Sequence, residues 1–332
     1  MMACILHIGD ESMSFQRKKR GRGFIYLNEK GERLTSKKVL NRINALVIPP
    51  MWTEVNVCKF ENGHIQATGR DLKGRKQYIY HAEWERHRQE EKFYRMSAFG
   101  KKLPNLRKKV ARDLRKKSWV KEKVLALMVE ILDETGIRIG NKIYEKTNQT
   151  YGLSTLRRKH LQIEGSRLVL RYKGKSNKER EISIEDQALA RYIKKVSQIP
   201  GYELFKYLDE KGRTQSLDSH DVQEYMQEII GNTFSCKDFR TWVGSRLAVE
   251  LLPMAVEMQG ASPRKKLEPT LIRLVSKELG NTPTICKGYY VHPLILSKME
   301  AGEIPLKNPF RESKSPTGLS ASEKLLLKLL EG

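Results

Sequence analysis

An α+β fold is predicted for this 332-residue chain: a small β-rich N-terminal domain over residues 1–90, a larger, mainly α-helical domain over 91–300 that contains a β-hairpin, and a tail over 301–332 with a short amphipathic helix. Three observations predict it. Short segments rich in β-branched and aromatic residues, separated by Asn/Gly turns, fill the first eighty or so positions. From about residue 83 the apolar residues take up a helical period. That period is interrupted by one alternating stretch that turns at Gly174-Lys175-Ser176-Asn177.

In chain order, Gly23-Phe24-Ile25-Tyr26-Leu27, Thr53 to Cys58, His64 to Thr68 and Gln77 to His81 are the predicted strands, divided by turns such as Asn28-Glu29-Lys30-Gly31 and Glu61-Asn62-Gly63. Between the first two lies a helix over Ser36 to Leu46, ended by Ile48-Pro49-Pro50, because proline lacks the amide donor and holds its predecessor extended. The tetrad Arg17-Lys18-Lys19-Arg20 reads as a basic arm beside this sheet. Val120, Val124, Leu127, Met128, Ile131 and Leu132 then mark an amphipathic helix that stops at Gly136. Arg167 to Lys173 and Arg180 to Ile184 form the hairpin, with Lys175 at or near its tip.

Helices follow over Asp221 to Ile230, capped by Ser219 or His220 and closed by Gly231, over Lys237 to Leu252 after Ser235, and over Leu267 to Leu279 before Gly280. Thr282-Pro283 supplies an N-cap and an N1 proline, so a short helix should carry Tyr290. Ser313 to Gly318 has the composition of a flexible linker, and Ser320-Ala321-Ser322-Glu323 is a capping box opening a Leu-rich helix to Leu330.

Charge narrows the function. Lys+Arg number 63 against 39 Asp+Glu, a formal net charge of +24, which favours a polyanionic partner, nucleic acid being the simplest. The segment from Lys101 to Lys123 is so one-sidedly basic, with only Asp113 and Glu122 opposing, that it is expected to lie along a phosphate backbone; a solvated helix face is the alternative. No apolar run reaches the roughly 18 to 20 residues needed to span a bilayer, and no membrane partner is expected. Cys4, Cys58, Cys236 and Cys286 are far apart and form no Cys-x-x-Cys pair, as reduced packing thiols would. The seven histidines form no His-x-x-x-His pair, no Asp-x-Asp cluster is found, and Gly21-Arg22-Gly23 opens no phosphate-binding loop. No metal and no cofactor are expected.

Several blocks in order resemble the type IB DNA topoisomerases, in their bacterial and poxvirus-like branch. They are Gly21-Arg22-Gly23-Phe24, Asn44 to Trp52, Gln66 to Asp71 with Gly74 to Tyr78, Gly152-Leu153-Ser154-Thr155-Leu156, Lys237 to Trp242, and Gly280-Asn281-Thr282-Pro283. The resemblance covers nearly the whole chain. It implies five catalytic positions: Tyr290 as nucleophile, Arg138 and Arg240 as clamps on the phosphorane oxygens, Lys175 as proton donor to the leaving 5′ oxygen, and Asn281 as a further donor. Asn281 departs from the poxvirus pattern, which has histidine there, and resembles the bacterial variant; it can donate a hydrogen bond but carries no charge. Read as residues alone, Tyr290 is a packing residue, Arg138 a surface residue after a helix stop, Arg240 a local partner of Asp238 or Glu250, and Asn281 a helix cap. Lys173 and Lys178 are alternatives for Lys175.

The resemblance also implies DNA contacts from Arg70, Arg75, Lys76, Gln77, Tyr78 and Tyr80, a monomer clamping double-stranded DNA, and a 3′-phosphotyrosyl intermediate formed without ATP or metal. A cytoplasmic, nucleoid-associated protein of a bacterial host is the corresponding expectation. Two other readings compete. A tyrosine site-specific recombinase shares the chemistry, but usually has His-x-x-Arg where this chain has Lys237-Asp238-Phe239-Arg240, and a helical N-terminal domain. A non-enzymatic basic DNA-binding protein would explain the charge but not the ordered blocks.

Overall fold

The computed structural model describes residues 5–9, 12–164, 167–262, 264, 266–306 and 317–332. The chain divides into two compact units, Met1–Lys92 and Phe93–Gly332, each with its own apolar core. The first unit holds a five-stranded antiparallel sheet in the order β2-β1-β3-β4-β5: β1 (Phe15–Arg20), β2 (Gly23–Leu27), β3 (Thr53–Val57), β4 (Ile65–Arg70) and β5 (Lys76–Tyr80). Helix α1 (Lys37–Ala45) joins it through Ile43, which shares a buried cluster with Tyr26, Val55, Val57 and Ala67.

Strand β1 corrects the sequence reading. The tetrad from Arg17 to Arg20 is not an arm beside the sheet but a strand within it, paired with β2 along its length and with β3 at Phe15 and Gln16. Its basic side chains hide the strand because most of them face solvent, while Arg17 is held by the carbonyls of Ile48, Pro49 and Trp52 and lies 4.1 Å from the Phe24 ring centroid.

Helix α2 (Ala82–Tyr94) follows β5. The second unit then continues through α3 (Met96–Leu114), α4 (Lys121–Thr135) and α5 (Lys142–Asn148) to a three-stranded antiparallel sheet of β6 (Leu161–Glu164), β7 (Arg167–Lys173) and β8 (Glu179–Ile184). After α6 (Gln187–Val196) and the small pair β9 (Lys206–Leu208) and β10 (Thr214–Ser216) come α7 (Ser219–Ile230), α8 (Cys236–Glu250), α9 (Leu252–Gly260), α10 (Leu267–Leu279), α11 (Pro283–Tyr289), α12 (Pro293–Glu300) and α13 (Ala321–Glu331). Helix α4 is the axis of this unit. It was expected to be amphipathic, yet every residue from Lys123 to Val129 is buried, and α3, α6, α7, α8 and β9 all pack on it. A helix apolar on nearly all sides has to be enclosed.

Other boundaries shift for local reasons. Helix α7 is capped by Asp218, whose carboxylate accepts from the His220 and Asp221 amides, rather than by Ser219 or His220. Pro253 stands in the first turn of α9, so α8 ends at Glu250 and the chain starts a new helix instead of running on to Leu252.

The basic run from Lys101 to Lys123 is not one phosphate-facing surface. Arg107 is largely enclosed, its guanidinium held between Asp133 and Glu323; Lys109 pairs with Asp113, Lys116 with Glu122, and Lys121 with Asp221. Lys123 is buried, donating to the Lys116 carbonyl with its ammonium 4.8 Å from the Trp119 ring centroid. Among the described residues, Lys102, Lys108, Arg112, Arg115 and Lys117 are exposed without an acidic partner. The acidic partners of Arg107 and Lys121 lie far along the chain, where a charge count over the segment cannot find them.

The tail is not a separable appendage. Helix α13 packs on α3, α8 and α12, burying Leu326 and Leu329. Its Glu323, only 1% exposed, accepts from Arg107 at 2.6 and 2.8 Å and from the Trp242 indole at 2.9 Å. Burial alone would raise the Glu323 carboxyl, but the Arg107 hydrogen bonds and charge outweigh it and hold the group well below the usual carboxylate range. Positions 313–316 of the expected linker, and Cys4, lie outside the described residues. No helix among those described is long and apolar enough to cross a membrane.

Removing one member of so buried an ion network leaves the other charges uncompensated. Glu323→Ala should therefore lower the unfolding free energy by about 3–5 kcal/mol. Lys101→Ala, which breaks an exposed pair with Glu331, should change it by about 0–1 kcal/mol. Urea unfolding of both variants checks the contrast.

Candidate active site

Two helices of the second unit end beside one another, and both end at glycine. Helix α4 stops at Gly136 (φ 60°) and α10 at Gly280 (φ 56°), each left-handed, a conformation in which a side chain strains the backbone. Arg240, from the middle of α8 and 5% exposed, donates to the carbonyls of Gly136 and Leu279. These carbonyls lack intrahelical partners, and the guanidinium also meets the negative end of both helix dipoles. Burial, reinforced by the nearby Arg138 charge, pushes Arg240 down to about 10, still protonated at neutral pH. The local partners considered for Arg240 are otherwise engaged: Asp238 caps α8 at Ser235, and Glu250 accepts from Ser322 and pairs with Arg246.

Two residues past Gly136 is Arg138, and two past Leu279 is Asn281. They meet directly, with Arg138 Nη2 donating to Asn281 Oδ1 at 2.6 Å. The Arg138 backbone is fixed by the 152–156 segment: its carbonyl accepts from the Leu153 amide at 2.8 Å, and a side chain at Gly152 would lie 2.6 Å from that same oxygen. Asn281 is not the cap of the next helix. Thr282 takes that role, its hydroxyl accepting from the Ile285 amide, with Pro283 in the first turn.

Tyr290 is the C-cap of α11 (φ −128°, ψ −21°), one position beyond the helix expected to carry it. Its ring centroid is 5.0 Å from the Arg240 guanidinium carbon, and the two side chains are hydrogen-bonded. Tyr289 is exposed. Gly244, one turn along α8 from Arg240, lets the Tyr290 backbone approach: a methyl group there would sit 2.6 Å from the Tyr290 carbonyl oxygen and 3.0 Å from its Cβ. Ser245 then donates to that oxygen and accepts from the His292 amide.

Arg138, Arg240, Asn281 and Tyr290 thus form one cluster. Two buried donors in it, Arg240 Nε and Asn281 Nδ2, have no hydrogen-bond partner among the described residues. Buried donors left unpaired are costly, and two of them among guanidinium groups suit a tetrahedral oxyanion. Lys175 stands apart from these contacts, exposed in a single 3-10 turn at the β7–β8 tip where Ser176 (φ 63°) and Asn177 (φ 61°) are left-handed.

Sequence reading missed Arg180. On β8, paired with Tyr172 of β7, it reaches over Gly280 and adds a third guanidinium to the group. The strand itself was legible; its approach to a glycine a hundred residues later was not.

The candidates in the first unit fall into two sets. Asp71 organises the β4–β5 turn, accepting from the Lys73 and Arg75 backbone amides, the Arg75 guanidinium and the Gln77 side-chain amide. The Arg75 hydrogen bond, chiefly, holds its carboxyl down to about 2. Arg70 pairs with Glu54 and donates to the Gly74 carbonyl. Lys76, Tyr78 and Tyr80 instead share the exposed face of edge strand β5; the two tyrosine rings stack at 5.9 Å and the Lys76 ammonium lies 5.4 Å from the Tyr78 centroid. Gln77 and Ile79 point to the opposite face. Cys58, Cys236 and Cys286 are buried free thiols, and burial pushes Cys286 up to about 11 and Cys236 to about 12. Among the described residues no group of three His, Cys, Asp or Glu side chains is placed to hold a metal ion.

Gly244→Ala should overpack the contact with Tyr290 and destabilise the fold by about 1–3 kcal/mol. A fall in thermal midpoint well beyond that of Gly260→Ala, a helical glycine with open space around it, checks the expectation.

The family described as eukaryotic DNA topoisomerase I, catalytic core, matches residues 76–308, and that described as bacterial DNA topoisomerase IB, N-terminal domain, matches residues 23–71. DNA topoisomerase 1B of Acanthamoeba polyphaga mimivirus is 33% identical over 283 residues, covering 83% of this chain and 84% of the relative. DNA topoisomerase 1B of Vaccinia virus (strain Copenhagen) is 24% identical over 237 residues, 70% of this chain and 71% of the relative. The XerH site-specific recombinase bound to difH substrate in a pre-cleavage complex aligns with TM-score 0.35 at 15% identity over 61% of this chain and 52% of that one, a likeness too loose to argue from.

Proposed function

Because the chain belongs to the type IB DNA topoisomerase family, and is therefore a DNA-directed isomerase, we propose that it relaxes supercoiled duplex DNA through a 3′-phosphotyrosyl intermediate, without ATP or metal. The observation that carries this reading is the pair of buried unpaired donors, Arg240 Nε on the side chain that lies against the Tyr290 ring and Asn281 Nδ2 on the side chain bonded to Arg138.

Tyr290 Oη attacks the phosphorus of one strand, forming the tyrosyl ester as the bond to the 5′ oxygen breaks. Arg138, Arg240 and Asn281 hold the non-bridging oxygens, where charge builds in the transition state. Lys175 hands a proton to the departing 5′ oxygen; an exposed ammonium on a two-residue left-handed turn has the reach and freedom for that task. The duplex then rotates, and the 5′ hydroxyl attacks the tyrosyl phosphate. Each step exchanges one phosphodiester for another, so no bond energy has to be supplied. The hydroxyl remains tethered near the adduct, and its high effective concentration favours religation over hydrolysis.

For the N-terminal unit, the DNA contacts best supported are Lys76, Tyr78 and Tyr80, whose cationic and aromatic groups share one open face. Arg70, Arg75 and Gln77 are engaged with Glu54, Asp71 and the Gly74 carbonyl, and join through the turn they stabilise. A single chain clamping the duplex, working at the nucleoid of a bacterial host, completes the reading; the bacterial character of the N-terminal match supports the host.

The protein should relax supercoiled plasmid in the presence of chelator and absence of ATP. Tyr290→Phe should abolish both relaxation and the detergent-stable protein–DNA adduct, whereas Tyr289→Phe should retain them; the reverse pattern would move the nucleophile by one residue. Lys175→Ala should slow cleavage of ordinary DNA on the order of 10² to 10⁴-fold. A 5′-bridging sulfur, which leaves without a proton, should erase most of that defect, and an undiminished defect would exclude Lys175 as the general acid.

A further inference from the structure

We propose that Arg180 is a positioning residue: it latches the hairpin carrying Lys175 onto the C-terminal end of α10, beside Asn281, so that the proton donor faces the leaving group. The inference rests on the reading of Lys175 as general acid.

The packing at Gly280 carries the argument. A Cβ built there would lie 0.7 Å from Arg180 Nη1 and 1.7 Å from its Cζ, so the guanidinium fills the volume that any other residue's side chain would occupy. Arg180 Nη2 also reaches the Glu278 carbonyl at 3.5 Å. Successive carbonyls at the end of α10, those of Glu278 and Leu279, are thereby met by Arg180 and Arg240, and Asn281 comes next in the chain. A cation is at its most favourable at such a helix terminus.

The other end of the side chain is tied to the hairpin. Arg180 pairs across it with Tyr172, whose buried phenol hydrogen-bonds the guanidinium. Its Cγ packs on Gly174, the residue before Lys175, where a Cβ would meet it at 2.8 Å. Within the turn itself Lys175 is exposed and its two following residues are left-handed. A hairpin held just behind its tip by one guanidinium keeps that tip within range of the site while leaving the lysine free to swing to the leaving oxygen.

The test uses single-turnover cleavage of a duplex with either an ordinary or a sulfur 5′ leaving atom. Arg180→Met keeps the apolar stem against Gly174 and removes the fork. With ordinary DNA it should cleave on the order of 10²-fold more slowly, the loss expected of a misplaced catalytic group, with duplex affinity unchanged. The sulfur substrate should restore most of the rate, as for Lys175→Ala. Gly280→Ala, which evicts the guanidinium from the other side, should show the same sulfur-rescued defect, and combining it with Arg180→Met should add little. Thermal unfolding monitors the fold, and Arg180→Lys provides a variant that retains the charge without the fork. If sulfur rescues Lys175→Ala but not Arg180→Met or Gly280→Ala, the latch is wrong while the general-acid reading stands. If sulfur rescues none of them, the reading of Lys175 falls first and the latch with it.

Discussion

The site depends on one buried guanidinium joining the ends of two helices. Arg240 meets the last carbonyls of α4 and α10, and the chain leaves each helix through a left-handed glycine. From those two carbonyls the next residue but one is Arg138 in one case and Asn281 in the other, so the width of a guanidinium fork sets the distance between them. A single group thereby satisfies two orphaned helix ends and determines the spacing of the groups on either side. Hydrogen bonds to a charged donor are worth about 1.5–3 kcal/mol each, enough to hold both segments in register. The same residue lies against Tyr290, which makes structural support and site chemistry inseparable at this position.

Behind α8 a second buried network supplies the rigidity. Trp242, two residues after Arg240, is fully buried, and Gly100 is the reason it fits: a side chain at 100 would lie 2.3 Å from the indole. The Trp242 indole donates to Glu323 of α13, which also receives Arg107 of α3, itself bonded to Asp133 of α4. Four helices are thus joined through one carboxylate–guanidinium cluster whose members can leave only together. The last helix of the chain therefore has a mechanical relation to the site although it contributes no group to it.

Charge shows the same division of labour. Much of the basicity between residues 101 and 123 is neutralised inside the second unit, and Arg70 and Arg75 shape a turn in the first. The net charge of +24 still favours a polyanion, but much of the basic charge is engaged within the protein. On the exposed face of β5, Lys76 is joined by stacked tyrosines, a face suited to sugar and base edges as much as to phosphate.

Local physics determined what the sequence by itself made legible: the α+β class, the glycine stops at Gly136 and Gly280, the Thr282-Pro283 helix start and the Lys175 hairpin. Each of these depends on groups within a few residues, where caps, turns and periodicity act. The family resemblance carried by the ordered blocks also pointed to Arg138, Arg240, Asn281 and Tyr290. The tertiary structure alone decided that Arg17 to Arg20 form a strand, that α4 is enclosed, that α13 docks, and that Arg180 fills the space above Gly280. It alone decided which cation meets which partner, because Arg138 and Asn281 are 143 residues apart and Arg107 and Glu323 are 216. A charged side chain announces its sign in the sequence; its partner depends on how distant segments pack, and no local rule encodes that.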